Sequence, residues 1–149
     1  MTCSDTRGMK EDTAGAALET LIAENGWECK SHVVVPDERP FIASAIVRAC
    51  DEQDVDVVLT CGGSGLAARR DARGHDGRVR SQRARHSRSH ARAFAGHHPY
   101  AMLSRALCMQ RGRHLVINLP GSEKAARENW DGVVKALPHA VKMMAGGGH

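Results

Sequence analysis

Aromatic residues are scarce in this 149-residue chain: two Trp, two Phe and one Tyr. A protein that holds single-stranded nucleic acid by base stacking needs aromatic platforms, so the composition argues against that class. No apolar stretch approaches the roughly 20 residues of a membrane-spanning helix. The absence of a charged-then-apolar leader predicts a protein that is not secreted. Cysteines are few and badly spaced for cross-linking. Cys3, Cys29, Cys50, Cys61 and Cys108 are odd in number and form no C-x-x-C pair. That pattern disfavours a disulfide frame or a zinc site and predicts reduced thiols in the cytoplasm. Apolar residues make up 42% of the chain. At this length a single domain over residues 1–149 is expected, large enough to bury about two-thirds of its unfolded surface.

The net charge of +4 is unevenly placed. Residues 69–98 hold nine Arg and two Asp, a charge of +7, while the remainder holds 12 Lys/Arg against 15 Asp/Glu, a charge of −3. Five of the nine His also fall in that segment, and Val79 and Phe94 are its only large apolar residues. As written it offers little apolar area to bury, and disorder is the expectation for it.

Elsewhere helices and strands alternate. Leu18, Leu21 and Ile22 give Thr13–Asn25 one apolar helical face, with Glu11 and Asp12 at its start and Gly26 as its stop. Cys29–Val35 reads as a strand ending at Pro36-Asp37. Pro40 suits the first turn of a second helix with Ile42, Ala45, Ile46 and Ala49 inward. Val55–Cys61 reads as a strand running into Gly62-Gly63-Ser64-Gly65. Tyr100–Leu107 suggests a short helical patch, and Leu115–Leu119 a further strand leading to Pro120-Gly121-Ser122. Ser122 is a suitable N-cap for a last helix that buries Ala126, Trp130, Val133, Val134 and Leu137 and is bent or restarted at Pro138. Such alternation predicts a three-layer α/β/α fold with a mostly parallel sheet. Ligands of such sheets lie beyond the carboxyl ends of the strands, where three of these loops would meet.

The loop chemistry favours phosphate. Gly62, Gly63, Ser64 and Gly65 could turn successive N–H groups toward one anion, or could simply form a tight turn. The absence of a following Gly-Lys-Ser/Thr excludes a Walker loop. Pro120, Gly121 and Ser122 open a helix whose N-terminal N–H groups favour an anion, with ordinary capping as the alternative. Asp5, Asp12 and Asp37 are candidate carboxylates, two of which could hold Mg²⁺ against a nucleotide's phosphates. For Asp5 and Asp12 turn or cap chemistry is the competing reading. Ser104 and Arg105 could clamp an anion or lie on the surface.

Taken together, these pieces resemble the MoaB/Mog family of molybdenum cofactor biosynthesis proteins. The resemblance rests on Thr2-Cys3-Ser4-Asp5, Glu11-Asp12-Thr13-Ala14-Gly15, Val35-Pro36-Asp37 and Asp56 to Leu66. Pro99 to Ala106, Leu115 to Ser122 and Pro138-His139-Ala140 complete it. It extends over residues 2–68 and 99–141. It implies transfer of AMP from Mg-ATP to the terminal phosphate of molybdopterin, releasing pyrophosphate, in a homotrimer or a hexamer of paired trimers. It implies Asp37 as a catalytic, metal-associated aspartate. Ser4, Asp5, Asp12, Gly62, Gly63, Ser64, Gly65, Ser104, Pro120, Gly121 and Ser122 would line the site for pterin and phosphate. A non-catalytic molybdopterin-binding or assembly subunit is the alternative.

The family pattern fails over residues 68–98. An arginine-aspartate-valine-threonine-proline-glutamate motif should follow the glycine loop, and it is missing in this frame. Codons for Ala68 to Asp76, read one base downstream, permit arginine, aspartate, valine, threonine, proline, glutamate, alanine and threonine in that order. His97-His98-Pro99 permits isoleucine-threonine, after which the pattern resumes at Pro99. A compensated double frameshift, in the gene or in its sequencing, is therefore expected. A basic arm for nucleic acid or an acidic partner is a rival explanation of the segment, and His86 with His90 could be read as a helical metal pair. Only Met1, Thr2 and Cys3 precede Ser4-Asp5, where the resemblance implies a full first strand.

Overall fold

In the computed structural model, residues 1–62 and 108–147 are described. Gly63, Ser64, Gly65, Ser104, the Tyr100–Leu107 patch and the arginine-rich segment lie outside the described residues. Five strands form one sheet: β1 (Thr2–Cys3), β2 (Val34–Val35), β3 (Val57–Cys61), β4 (Cys108–Arg111) and β5 (His114–Leu119), in the order β2-β1-β3-β5-β4. All neighbours are parallel except β4, which runs antiparallel to β5 along one edge. The helices are α1 (Thr13–Glu24), α2 (Arg39–Asp51), α3 (Glu123–Val133) and α4 (Leu137–Met144). Among the described residues no helix is long and apolar enough to cross a membrane.

The sheet separates two apolar layers, which is the expected three-layer arrangement. On one face Ile42, Ile46 and Cys50 of α2 meet Val58, Met109 and Val116. On the other, Ala14 and Leu18 of α1 and Ala126, Trp130 and Leu137 meet Cys61, Ile117 and Leu119. Alternation along the strands produces this division, since Val116 and Ile117 turn to opposite faces.

Helix limits follow the local signals. Gly26 adopts φ +74°, a left-handed stop that favours glycine, directly after the Asn25 cap. Pro40 lies in the first turn of α2. Pro138 does so in α4, after a single 3₁₀ turn at Val134–Ala136 separates that helix from α3. Strand limits depart further from expectation. The Cys29–Val35 run pairs only at Val34–Val35, because β1 offers two residues as its partner. The sequence pattern does not announce β4. It is one arm of a hairpin whose turn holds Gly112 at φ +56°.

Candidate functional site

The strand order reverses at β1. From β1 the chain crosses to β2 on one side, then returns to β3 on the other. A crevice between the carboxyl ends of β1 and β3 is the geometric consequence. Around it stand the loops that follow β1, β2 and β5, with Gly62 at the end of β3.

Short contacts join these four tips. Ser4 donates its N–H to Val35 O (2.9 Å), and its Oγ accepts from the N–H groups of Thr6 (3.3 Å) and Arg7 (3.0 Å). The serine thus folds the loop after β1 into a compact turn. Asp5 Oδ1 accepts the N–H of Asp37 at 2.8 Å, tying that loop to the tip of β2. Arg7 Nη1 donates to Gly121 O at 2.8 Å, reaching the tip of β5. Gly62 donates its N–H to Leu119 O at 3.0 Å. A Cβ on Gly121 would stand 3.3 Å from Gly62 Cα.

Ser4, Asp5, Asp37, Gly62 and Gly121 are therefore brought to one edge, with Pro120 and Ser122 beside Gly121. Asp37 is buried despite its charge, whereas Asp5 is exposed. Ser122 stands at the N-cap of α3, and its hydroxyl makes no capping bond. Gly62 spends its own N–H on that bond to Leu119 and allows close backbone approach there. Gly62 also sits at φ +111°, and a Cβ there would lie 2.7 Å from the carbonyl oxygen of Cys3. Gly62→Ala is accordingly expected to lower stability by about 1–3 kcal/mol, read from urea denaturation. A loss below about 0.5 kcal/mol would show that the tip relaxes around a side chain.

Asp12 takes a different position. It is 1% exposed and caps α1, with Oδ1 accepting from Gly15 N–H at 2.9 Å. Its Oδ2 lies 2.8 Å from His32 Nε2, while His32 Nδ1 lies 3.1 Å from Glu19. These bonds fasten α1 to the segment before β2. Burial alone would push its carboxyl up, but Thr2's hydroxyl, the Gly15 N–H and His32 outweigh that and hold it below the ordinary aspartate value. A carboxyl lowered by folding stabilises the fold above the unfolded value of about 3.9 and loses that contribution as pH falls through its folded value. Asp12→Asn keeps a capping oxygen and removes the charge. We expect it to cost about 1 kcal/mol at pH 7 and to flatten the acid limb of stability below pH ~5. An acid limb unchanged by the substitution would assign that limb to other carboxylates.

Two features of this edge have no clear signature in the sequence. Arg7 is one; its position in the loop after β1 is the only available signal, because Gly121 lies 114 residues away. The other is a buried pair next to the tips, in which Thr60 Oγ1 donates to Asn118 Oδ1 at 2.9 Å and cross-links β3 to β5. Cysteine chemistry is not favoured here. Burial pushes the Cys61 thiol up to about 11, far from a thiolate nucleophile at neutral pH. None of the five cysteines is in a disulfide. Among the described residues no three His, Cys, Asp or Glu converge as a metal cluster.

Comparison with known proteins adds the following. Residues 2–139 match the family described as "Probable molybdopterin binding domain". The molybdopterin adenylyltransferase of Helicobacter pylori J99 is 32% identical over 146 residues, covering 95% of this chain and 82% of that protein. The Drosophila melanogaster molybdenum cofactor synthesis protein cinnamon is 34% identical over 149 residues, 97% of this chain but only 25% of that longer protein. The crystal structure of the molybdopterin biosynthesis enzyme MoaB from Thermus thermophilus superimposes with a TM-score of 0.83 at 35% identity, covering 97% of this chain and 93% of that one.

Proposed function

This chain belongs to the molybdopterin binding domain family, and from that premise we propose that it adenylylates molybdopterin. The observation that carries the reading is the convergence of four strand tips at the β1/β3 reversal, with Asp5 and Asp37 joined at 2.8 Å through a main-chain N–H. In the reaction a terminal phosphate oxygen of molybdopterin attacks the α-phosphorus of ATP. The bond from that phosphorus to the β-phosphate's bridging oxygen breaks, and pyrophosphate leaves. Such a transfer needs positioning and charge neutralisation more than covalent help.

The residues divide that work. The N-terminus of α3, opened by Gly121 and Ser122, presents N–H groups and a hydroxyl to one phosphate. Arg7 gives one N–H to Gly121 O and retains others that would be available to a second anionic group. Gly63, Ser64 and Gly65, outside the described residues, would extend the cradle after β3, and Ser104 would add a hydroxyl. Two hard carboxylate donors, Asp37 and Asp5, fit Mg²⁺, which commonly takes one or two carboxylates and completes its shell with phosphate oxygens and water. When bound, Mg²⁺ would offset charge on the ATP phosphates. We assign Asp12 to holding α1 in place. The same reading places the protein in the cytoplasm as a homotrimer or hexamer, without a membrane or nucleic acid partner.

One observation favours a second reading, molybdopterin binding without turnover: residues 68–98 as written lack the motif that the family carries after its glycine loop. Purified chain incubated with molybdopterin, Mg²⁺ and ATP labelled at the α-phosphate distinguishes the two. Label transferred to the pterin with release of pyrophosphate supports adenylylation. Retention of molybdopterin without transfer supports the second reading, and absence of both overturns the assignment of the site.

A further inference from the structure

The loop after β1, residues 4–12, carries Asp5 and Arg7 to the strand tips. One segment, residues 32–37, holds that loop at three points. Val35 O accepts the N–H of Ser4 at 2.9 Å, and the N–H of Asp37 meets Asp5 Oδ1 at 2.8 Å. The third point is the far end of the loop, where His32 Nε2 lies 2.8 Å from Asp12 Oδ2. The first two use the main chain of residues 35 and 37. The third depends on which side chain residue 32 carries.

The seat of that third contact is built. The Asp12 side chain is wholly buried, and that of His32 is 13% exposed. A Cβ on Gly15 would overlap both His32 Nε2 and Asp12 Oδ2, so the imidazole reaches the carboxylate over a residue that has to be glycine. One carboxylate thereby joins three parts of the chain: Oδ1 caps α1, Oδ2 meets residue 32, and the main chain of Asp12 is the root of the loop. A buried carboxylate that loses such a contact is under-satisfied, and its least costly response is to move toward water. The loop has little slack to absorb that movement. Arg7 N–H closes on Ser4 Oγ at 3.0 Å, and Gly8 N–H closes on Glu11 Oε2 at 2.9 Å. A displacement of Asp12 is therefore passed on to Arg7.

We propose that His32 is a positioning residue for the site. Through Asp12 it fixes the root of the loop after β1, and so the seat of Arg7 on Gly121 O and of Asp5 on the Asp37 N–H. The kinetic consequence, a weaker hold on the phosphates of ATP when the contact is lost, rests on the transferase reading. The structural consequence, a loosened loop, does not.

Two amides replace the ring selectively. Glutamine places its N–H donors near the position of Nε2, which faces Asp12, and asparagine places them near Nδ1, which faces Glu19. In the full chain His32→Asn is expected to speed amide exchange at Arg7 and Asp37 by at least about fivefold, with Val116 and Ile117 of β5 changed by less than about twofold. His32→Gln is expected to hold all four within about twofold of the unaltered chain, as is Glu19→Gln, which leaves the Asp12 contact in place. His32→Asn is also expected to raise KM for ATP by at least about fivefold at a kcat within about twofold, and His32→Gln to restore KM. Unchanged exchange in His32→Asn overturns the proposal. So does equal acceleration in His32→Gln or Glu19→Gln, or acceleration that reaches β5 to the same extent, which would assign His32 to global stability. An unaltered chain without turnover tells against the transferase reading alone, and exchange at Arg7 and Asp37 then decides the proposal by itself.

Discussion

Asp37→Ala is expected to lower the rate of molybdopterin adenylylation by about 10²–10³-fold while leaving the thermal midpoint within a few degrees. The side chain is 5% exposed yet sits at a strand tip, between Pro36 and the start of α2. Burying a carboxylate is costly unless its surroundings favour the charge, so a charged residue in such a place signals a task. Its link to Asp5 runs through the main-chain N–H and survives the substitution. The loss therefore reports the side chain rather than a collapse of the tip. The measurement is kcat and KM for ATP at saturating molybdopterin, over a series of Mg²⁺ concentrations, in the form of the chain that turns over. A fall in kcat with a raised Mg²⁺ requirement assigns Asp37 to charge neutralisation around the phosphates. A change smaller than about threefold removes it from the reaction.

The site is an outcome of sheet topology, which explains why much of it was legible in the sequence. Once the strands before Pro36, Gly62 and Pro120 are parallel, the loops after them must share one edge. The contacts of Gly62 with Leu119 and of Arg7 with Gly121 confirm that edge. Helix limits were legible for a local reason: Asp12, Gly26, Pro40 and Pro138 act on the backbone within a turn of themselves. Pairing was less so, because a strand exists only with its neighbour. Cys29–Val35 has the composition of a seven-residue strand, and two residues of it pair. β4 has a mixed sequence, Cys-Met-Gln-Arg, with no apolar alternation to announce it. Its partner, β5, defines it. Asp12 shows the opposite limit. From sequence its carboxylate could serve a cap or a ligand; the structure shows the cap to Gly15 and a contact with His32 that no local pattern announces.

Restoring the downstream frame across codons 68–98 is expected to raise turnover by at least about 10²-fold over the chain as written. Deleting one base at codon 68 and supplying one at codon 98 makes the change and leaves every described residue untouched. Over residues 69–98 the written frame supplies nine arginines, five histidines and only two large apolar side chains. Guanidinium groups in such density repel one another, and desolvating them requires partners that a chain of net charge −3 elsewhere offers sparsely. The shifted frame permits carboxylates, a proline and apolar residues in place of that density of guanidinium groups. Equilibrium denaturation should respond together with activity, since apolar area gained in the segment adds to the core. Molybdopterin retention by both forms with turnover in one would assign binding to the described tips and catalysis to their completion by residues after Gly62. Equal turnover in the two forms would show that the arginine-rich sequence is native to the enzyme, and a stop codon in the shifted frame would exclude the restored reading outright.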